Sequence, residues 1–356
     1  MKTPKTFQKI LVVRTDRIGD VVLTTPAIKA LRQAYPASHI SVLVTPTTYN
    51  LIKGNPYIDE VLVDDRQGQH KNPFGFLKLL REIRLKRFDL AIIFHTKRRY
   101  NLLCSWAGIP CRLGYKNDNF GFLLTHPLKD LRSLGQKHEA EYCVDVLRAI
   151  GVENEDLDLF VPVQKEAEDW AFNWMQENNL KSNEFIAIHP GASDATKCWP
   201  TGNFAQLMDR LSERYAFKIV LIGATNTIAL SEDILRQTHH ASQFLNLSGK
   251  TSPAQMVSLL RRSRLLISND SGPVHVAAGV GAQVISLFLR NQPGINPERW
   301  KPLGPKSFTL SNKPGEEIKL DDKCKPIAGQ PGSISVDSVL ELTEQIFQKN
   351  NQYEIF

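Results

Sequence analysis

Apolar and polar positions follow two alternating patterns along this chain. Short continuous apolar runs, rich in β-branched side chains, are separated by longer stretches in which apolar residues return every three or four positions. The first pattern suits strands buried on both faces of a parallel sheet, the second amphipathic helices. In the first half the runs predict strands at 10–13, 39–44, 60–63 and 90–94. Helices are predicted at 26–34, with Thr25 as N-cap and Pro26 at the first helical position, and at 76–85, where Phe76, Leu77, Leu79, Leu80 and Ile83 share helical spacing. Residues 20–24 read as an extra turn or a kinked extension of the helix at 26–34, and 101–138 is mixed. A helix at 139–150 stops at Gly151, and the acidic, aperiodic stretch 152–165 reads as a connector. The alternation then resumes, with helices at 166–178, 204–215, 253–261 and 273–278 and strands at 185–188, 218–222, 244–247, 265–268 and 283–288. This is an α/β pattern of two doubly wound parallel sheets, with one domain over 1–165 and another over 166–335. A last helix is predicted at 336–349.

In such sheets ligands bind beyond the carboxyl ends of the strands, so the loops that follow the strands are where chemistry is expected. The first carries Arg14, Thr15, Asp16, Arg17, Ile18, Gly19 and Asp20. Asp20 falls near a helix N-terminus, where free N–H groups favour its charged form; it either caps the helix or accepts a proton. In the second half, the loop from His189 to Trp199 is rich in small and turn-forming residues and includes Lys197, a point charge for phosphate oxygens. A short polar loop follows at Gly223-Ala-Thr-Asn226. The third loop sets Asp270, Ser271 and Gly272 just before Pro273, leaving N–H groups at a helix start free for an anion, with His275 in the first turn.

Several chemistries are excluded. The first βα turn has one glycine, so the GxGxxG dinucleotide fingerprint is missing, and there is no GxxxxGK[ST] or GxSxG. Nothing resembles a DxD or HExxH metal motif; Asp64-Asp65 and Asp321-Asp322 read as solvated loop charges, and no metal or cofactor is expected. Five cysteines without a CxxC pair read as free thiols. No apolar run approaches the roughly 20 residues of a spanning helix, and the start of the chain is short and polar, so a cytoplasmic protein is expected. The formal net charge of +7 points to an anionic partner. Lys97-Arg98-Arg99-Tyr100 is a basic patch, but no basic run interleaved with aromatics reads as a nucleic-acid groove.

Three stretches, ILVVRTDRIGDVVLTTPAIKALRQAYP, HPGASDATKCWPTGNFAQL and NDSGPVHVAAGVGAQVISLF, together resemble glycosyltransferase family 9, the bacterial ADP-heptose:lipopolysaccharide heptosyltransferases. The resemblance spans nearly the whole chain, with the motifs in family order. It implies a GT-B architecture, two Rossmann-like domains facing across a cleft, the first binding acceptor and the second binding nucleotide sugar, with the last helix crossing back to the first domain. By motif, Asp20 corresponds to the family's general base and Lys197 to its phosphate-binding lysine, while Asp270, Ser271, Gly272 and His275 match its donor loop. Ala192 and Ser193 stand where relatives often carry two hydroxyls, leaving Ser193 as a donor contact. Thr225-Asn226 replaces an acidic residue that some members place against the ribose.

The mechanism so implied is a single inverting displacement without a metal, in which Asp20 deprotonates an acceptor hydroxyl and Lys197 and the helix start at Gly272 stabilise the leaving ADP. The resemblance also implies Gly19 as an acceptor-binding residue. Arg14, Arg17 and the Lys97, Arg98 and Arg99 patch would face the anionic lipopolysaccharide inner core, and the basic charge would favour peripheral contact with the anionic inner membrane surface. Two other readings keep the fold: a member using another nucleotide sugar or a polysaccharide acceptor, and a non-catalytic glycolipid- or nucleotide-binding protein.

Overall fold

Ile10, Leu11, Val12 and Val13 are all fully buried, and the strand they dominate lies at the centre of a six-stranded sheet. A computed structural model describes residues 6–314 and 334–353, in two units, Met1–Gln164 and Lys165–Phe356. Cys324 and Asp321-Asp322 lie outside the described residues. The first unit holds strands β1 (Lys9–Val13), β2 (His39–Val44), β3 (Glu60–Val63), β4 (Leu90–Ile93), β5 (Cys111–Lys116) and β6 (His126–Lys129). Its helices are α1 (Ile18–Val22), α2 (Thr25–Ala34), α3 (Pro46–Tyr49), α4 (Pro73–Lys86), α5 (Arg98–Trp106) and α6 (Glu139–Arg148). The strands pair in parallel in the order β3-β2-β1-β4-β5-β6. Because alternate side chains of a strand point to opposite faces, Ile10 and Val12 meet α2 and α6 in one core, and Leu11 and Val13 meet α4 and α5 in another. That two-sided burial is why β1 reads as an unbroken apolar run.

The second unit repeats the plan. Strands β7 (Phe185–His189), β8 (Lys218–Leu221), β9 (Leu245–Asn246), β10 (Leu265–Asn269), β11 (Val284–Phe288) and β12 (Ser307–Ser311) are parallel in the order β12-β11-β10-β7-β8-β9. Counted from its own first strand, this is the strand order of the first unit. The helices are α7 (Lys165–Glu177), α8 (Thr201–Arg214), α9 (Ile228–Gln237), α10 (Pro253–Arg262), α11 (Gly272–Gly279), α12 (Pro297–Trp300) and α13 (Val336–Tyr353).

The structure departs from the sequence reading where burial is incomplete or where, as in the CRLGYK run of β5, polar residues and a glycine interrupt the apolar pattern. β5, β6 and β12 went unpredicted: β6 is an edge strand that alternates half-buried and exposed residues and contains Pro127, and β12 is no more than half-buried throughout. Thr25 is not the N-cap of α2. Thr24 holds that position, and the Thr25 hydroxyl donates to Val22 O at 2.7 Å. Residues 18–22 form a separate short helix.

The last helix was expected to cross to the first domain. Instead Val336, Val339, Leu340, Ile346 and Phe347 join the core of the second unit with Trp199, Phe204 and Leu211. Trp199 Nε1 donates to Ile334 O at 2.9 Å, just ahead of this helix, and Arg210 and Arg214 of α8 pair with Asp337 and Glu344. The Phe347 ring packs edge-on against Tyr215 and Phe217, with centroids 5.2 and 5.3 Å away. Phe347→Ala should therefore cost about 3 kcal/mol or more. Hydrogen exchange checks where: lost protection in α8 and β8 is expected, and loss confined to α2 and α6 would restore the crossing-helix reading.

Candidate functional site

In the first sheet the strand order reverses between β1 and β4, so their outgoing loops diverge and leave a crevice at the carboxyl edge. Arg14 leaves β1 there with its side chain only 2% exposed. A buried guanidinium is tolerable only if paired, and Arg14 is paired three times. Its Nη2 donates to Asp20 Oδ1 at 2.7 Å and to Glu139 Oε1 at 3.1 Å, and its Nε lies 3.0 Å from Asp16 Oδ1. Asp20, in the first turn of α1, does not cap that helix with its side chain; the carboxylate is held by Arg14 and keeps 16% exposure. Thr24 Oγ1 braces the same residue by donating to Asp20 O at 2.8 Å. Gly19 is buried within α1, whereas Arg17, its N-cap, is exposed. Burial pushes the Asp16 carboxyl up to about 7; Arg14 pulls against this and the Asp20 charge adds to it.

Arg14 thus takes a different part from the acceptor contact expected of it: it faces inward and positions Asp20. The basic patch also divides. Lys97 and Arg98 are exposed at the start of α5, with Arg98 over the Phe120 ring at 4.8 Å. Arg99 turns back, donating from Nε and Nη2 to Asp64 at 2.8 and 2.9 Å and from Nη2 to His70 O at 3.0 Å. Asp64 is therefore no solvated loop charge. It is fully buried and also accepts from Tyr100 Oη at 3.0 Å. Asp65 accepts the backbone N–H groups of Gly68 and Gln69 in a turn. Above the β4 end, His95 Nδ1 lies 2.9 Å from Thr15 Oγ1. Burial, then Arg14, Lys97, Arg66 and Arg132, hold its ring down at about 3.

The second sheet reverses between β7 and β10, where His189, the last residue of β7, lies beside Ser268. Here Lys197, at the end of a 3₁₀ turn, forms an ion pair with Asp270, both largely buried. Asn269 ties the two loops together, accepting from Trp199 N at 3.0 Å and donating from Nδ2 to Pro190 O at 2.6 Å. Ser271 is the N-cap of α11, yet its hydroxyl does not cap that helix; it lies 3.2 Å from His189 Nδ1 and 3.0 Å from Ser268 Oγ. His189 is buried, and desolvation lowers its pKa to about 4, so it is neutral near pH 7. Gly272 opens the helix, and His275 is buried one turn in. Ser193 is exposed on the β7 loop, beside Asp194, which Arg290 holds at 3.1 Å. Thr225 is exposed after β8. Thr227, not Thr225, wedges between these loops: a Cβ on Gly191 would sit 2.5 Å from its Cγ2, and one on Gly223 2.2 Å from its Oγ1.

Lys197, Asp270, Ser271 and Gly272 are thus gathered at one switch point, and Asp20 and Arg14 at the other. The sequence reading missed Glu139, His95, His189 and Asn269 as parts of these sites. His189 and Asn269 did carry a signal, since each is a polar residue ending a buried apolar run. Glu139 carried none, being 125 positions from its partner. Among the described residues no group of three or more His, Cys, Asp or Glu side chains could hold a metal ion, and no helix is long and apolar enough to cross a membrane.

Residues 76–327 match glycosyltransferase family 9 (heptosyltransferase). Lipopolysaccharide heptosyltransferase 3 of Escherichia coli (strain K12) is 26% identical over 276 residues, 76% of this chain and 79% of that protein. The crystal structure of a family 9 glycosyl transferase from Veillonella parvula has a TM-score of 0.83 at 25% identity, covering 96% of this chain and 98% of that one. E. coli ADP-heptose lps heptosyltransferase II matches in fold, with a TM-score of 0.77 at 22% identity over 96% of this chain and 100% of that one. The fold class, two Rossmann-like doubly wound units of the GT-B kind, is shared with these structures.

The two neutral histidines set the acid response. Unfolded, each ring takes up a proton near 6.5; folded, His189 resists until about 4 and His95 until about 3. Their contribution is complete above the unfolded value and is lost as pH falls towards the folded ones. Chemical denaturation should show His189→Asn losing less stability than the wild type between neutral pH and about pH 4.5, by about 2 kcal/mol. Equal losses would mean that His189 is not held neutral.

Proposed function

The chain belongs to glycosyltransferase family 9, and on that premise we propose that it moves a heptose from ADP-heptose to the inner core of lipopolysaccharide at the cytoplasmic face of the inner membrane. The observation that carries the reading is the Asp20 carboxylate, aimed by the buried Arg14 yet still reachable from solvent at the first switch point. Asp20 accepts the proton of an acceptor hydroxyl as that oxygen attacks the anomeric carbon. The bond from that carbon to the ADP oxygen breaks on the opposite face, its electron pair leaves with ADP, and the configuration inverts. Arg14, shared with Glu139, orients the Asp20 carboxylate. Lys197 and the N–H groups at the start of α11 meet the negative charge gathering on the diphosphate, and no metal is invoked. Ser193, Thr225, Asp270 and Ser271 complete the donor contacts, and His275 is buried in the first turn of α11. Arg17, Lys97 and Arg98, the exposed cations of the first unit's site, meet the anionic acceptor.

A second reading, transfer from another nucleotide sugar, is favoured by Thr225-Asn226, where no carboxylate is available for the ribose hydroxyls. Calorimetry with ADP, UDP and GDP separates the two. Selective ADP binding, weakened about tenfold by Lys197→Ala through loss of a charge-assisted contact, supports ADP-heptose. Indifference to the base would sink it. Asp20→Asn should leave ADP binding intact and lower kcat by about 10² to 10⁴. A variant that keeps wild-type turnover would remove Asp20 as base.

A further inference from the structure

Helix α4 carries apolar side chains on both sides of its axis. Leu79, Leu80 and Ile83 turn inward and pack in the core with Leu11, Val13 and Ile93. Phe74, Leu77, Lys78, Arg81 and Leu85 also recur at helical spacing, on the opposite face. Phe74 is 82% exposed, Leu77 52% and Leu85 69%. Trp106, at the end of α5, is also exposed, but its ring meets that of Phe76, on the core side of α4, edge-on at 6.1 Å. Single exposed apolar residues are ordinary on a surface, but three large ones on one helix face mark an interaction site.

The surrounding charge identifies the partner. Residues 71–87 contain six basic side chains, Lys71, Lys78, Arg81, Arg84, Lys86 and Arg87, and one acidic one, Glu82. Lys86 is paired with Glu60, but among the described residues no ion pair engages Lys71, Lys78, Arg81 or Arg87. Two copies of this face set against each other would bring like charges together. An anionic lipid surface satisfies both features at once, because aromatic and aliphatic side chains enter the interfacial layer while Lys and Arg meet the headgroup phosphates.

We propose that α4 is a membrane-contact helix, inserting Phe74, Leu77 and Leu85 into the interface of an anionic phospholipid bilayer while Lys71, Lys78, Arg81 and Arg87 bind its headgroups. The neighbouring helix α5 starts at the exposed Arg98, and Arg99 of that helix lies over the Phe76 ring of α4 at 4.9 Å. Helix α4 thus neighbours the helix whose start carries Arg98, one of the cations assigned to the acceptor. That link rests on the glycolipid acceptor proposed above; the membrane contact does not.

The test is co-sedimentation of the full chain with vesicles of phosphatidylcholine alone and of phosphatidylcholine containing phosphatidylglycerol. Binding is expected on the anionic vesicles, weakening as salt screens the charges. Phe74→Ser with Leu77→Ser should lower partition about tenfold or more, and Arg81→Ala about fivefold. Both variants should keep the wild-type melting temperature, because these side chains are exposed. Equal binding to both vesicle types, no binding, or variants that bind like the wild type would overturn the proposal. So would a concentration-dependent dimer in sedimentation velocity that the double variant abolishes, which would make a second copy the occupant. Turnover of a water-soluble acceptor separates this from the functional reading: lost vesicle binding with turnover intact touches only α4, and absent turnover with vesicle binding intact touches only heptosyl transfer.

Discussion

A guanidinium buried at the end of the first strand is the constraint on which the first unit's site depends. Arg14 cannot reach water, and an unpaired charge there would cost several kcal/mol. Its need for partners draws together Asp16 and Asp20 from the β1 loop and Glu139 from the start of α6. The cluster ties the reactive loop to a helix far away in the chain. It also explains why Asp20 does not cap α1: the stronger charge-assisted bond to Arg14 takes the carboxylate and fixes its direction. Burial, with the Asp20 charge adding to it, lets Asp16 hold a proton up to about 7.

The second unit meets the same topological opportunity with different chemistry. Its switch point is lined by a buried neutral imidazole, two serine hydroxyls and one ion pair, Lys197 with Asp270. Keeping His189 neutral matters, because it lets the ring share a hydrogen bond with Ser271 without placing a further charge at the mouth of α11. Lys197 already has a carboxylate partner in Asp270, so on the proposed reading a diphosphate would compete with Asp270 for it. The face of α4 adds a third element outside both switch points, where exposed apolar area and unpaired cations coincide.

The sequence by itself determined the α/β class, the central strands and the polar loops at the strand ends. These follow from local rules: a strand buried on both faces must be continuously apolar, a helix must repeat near 3.6 residues, and loops at carboxyl ends of parallel strands face the ligand side. Asp20, Lys197 and the segment from Asp270 to His275 were legible for that reason. Edge strands β6 and β12 were not, because a half-buried strand has no such pattern. What only the tertiary structure decided is pairing. Arg14 and Asp20 are six positions apart and Glu139 is 125 away, and nothing local says that one cation will serve them all. Asp64 and Arg99 likewise read as solvated charge and acceptor contact until the fold buries the carboxylate and turns the guanidinium onto it. The last helix reads as amphipathic, but which core receives its apolar face depends on where Trp199 and Phe204 stand in space. A charge or an apolar stripe is visible in one dimension; the partner that satisfies it is set by three-dimensional proximity.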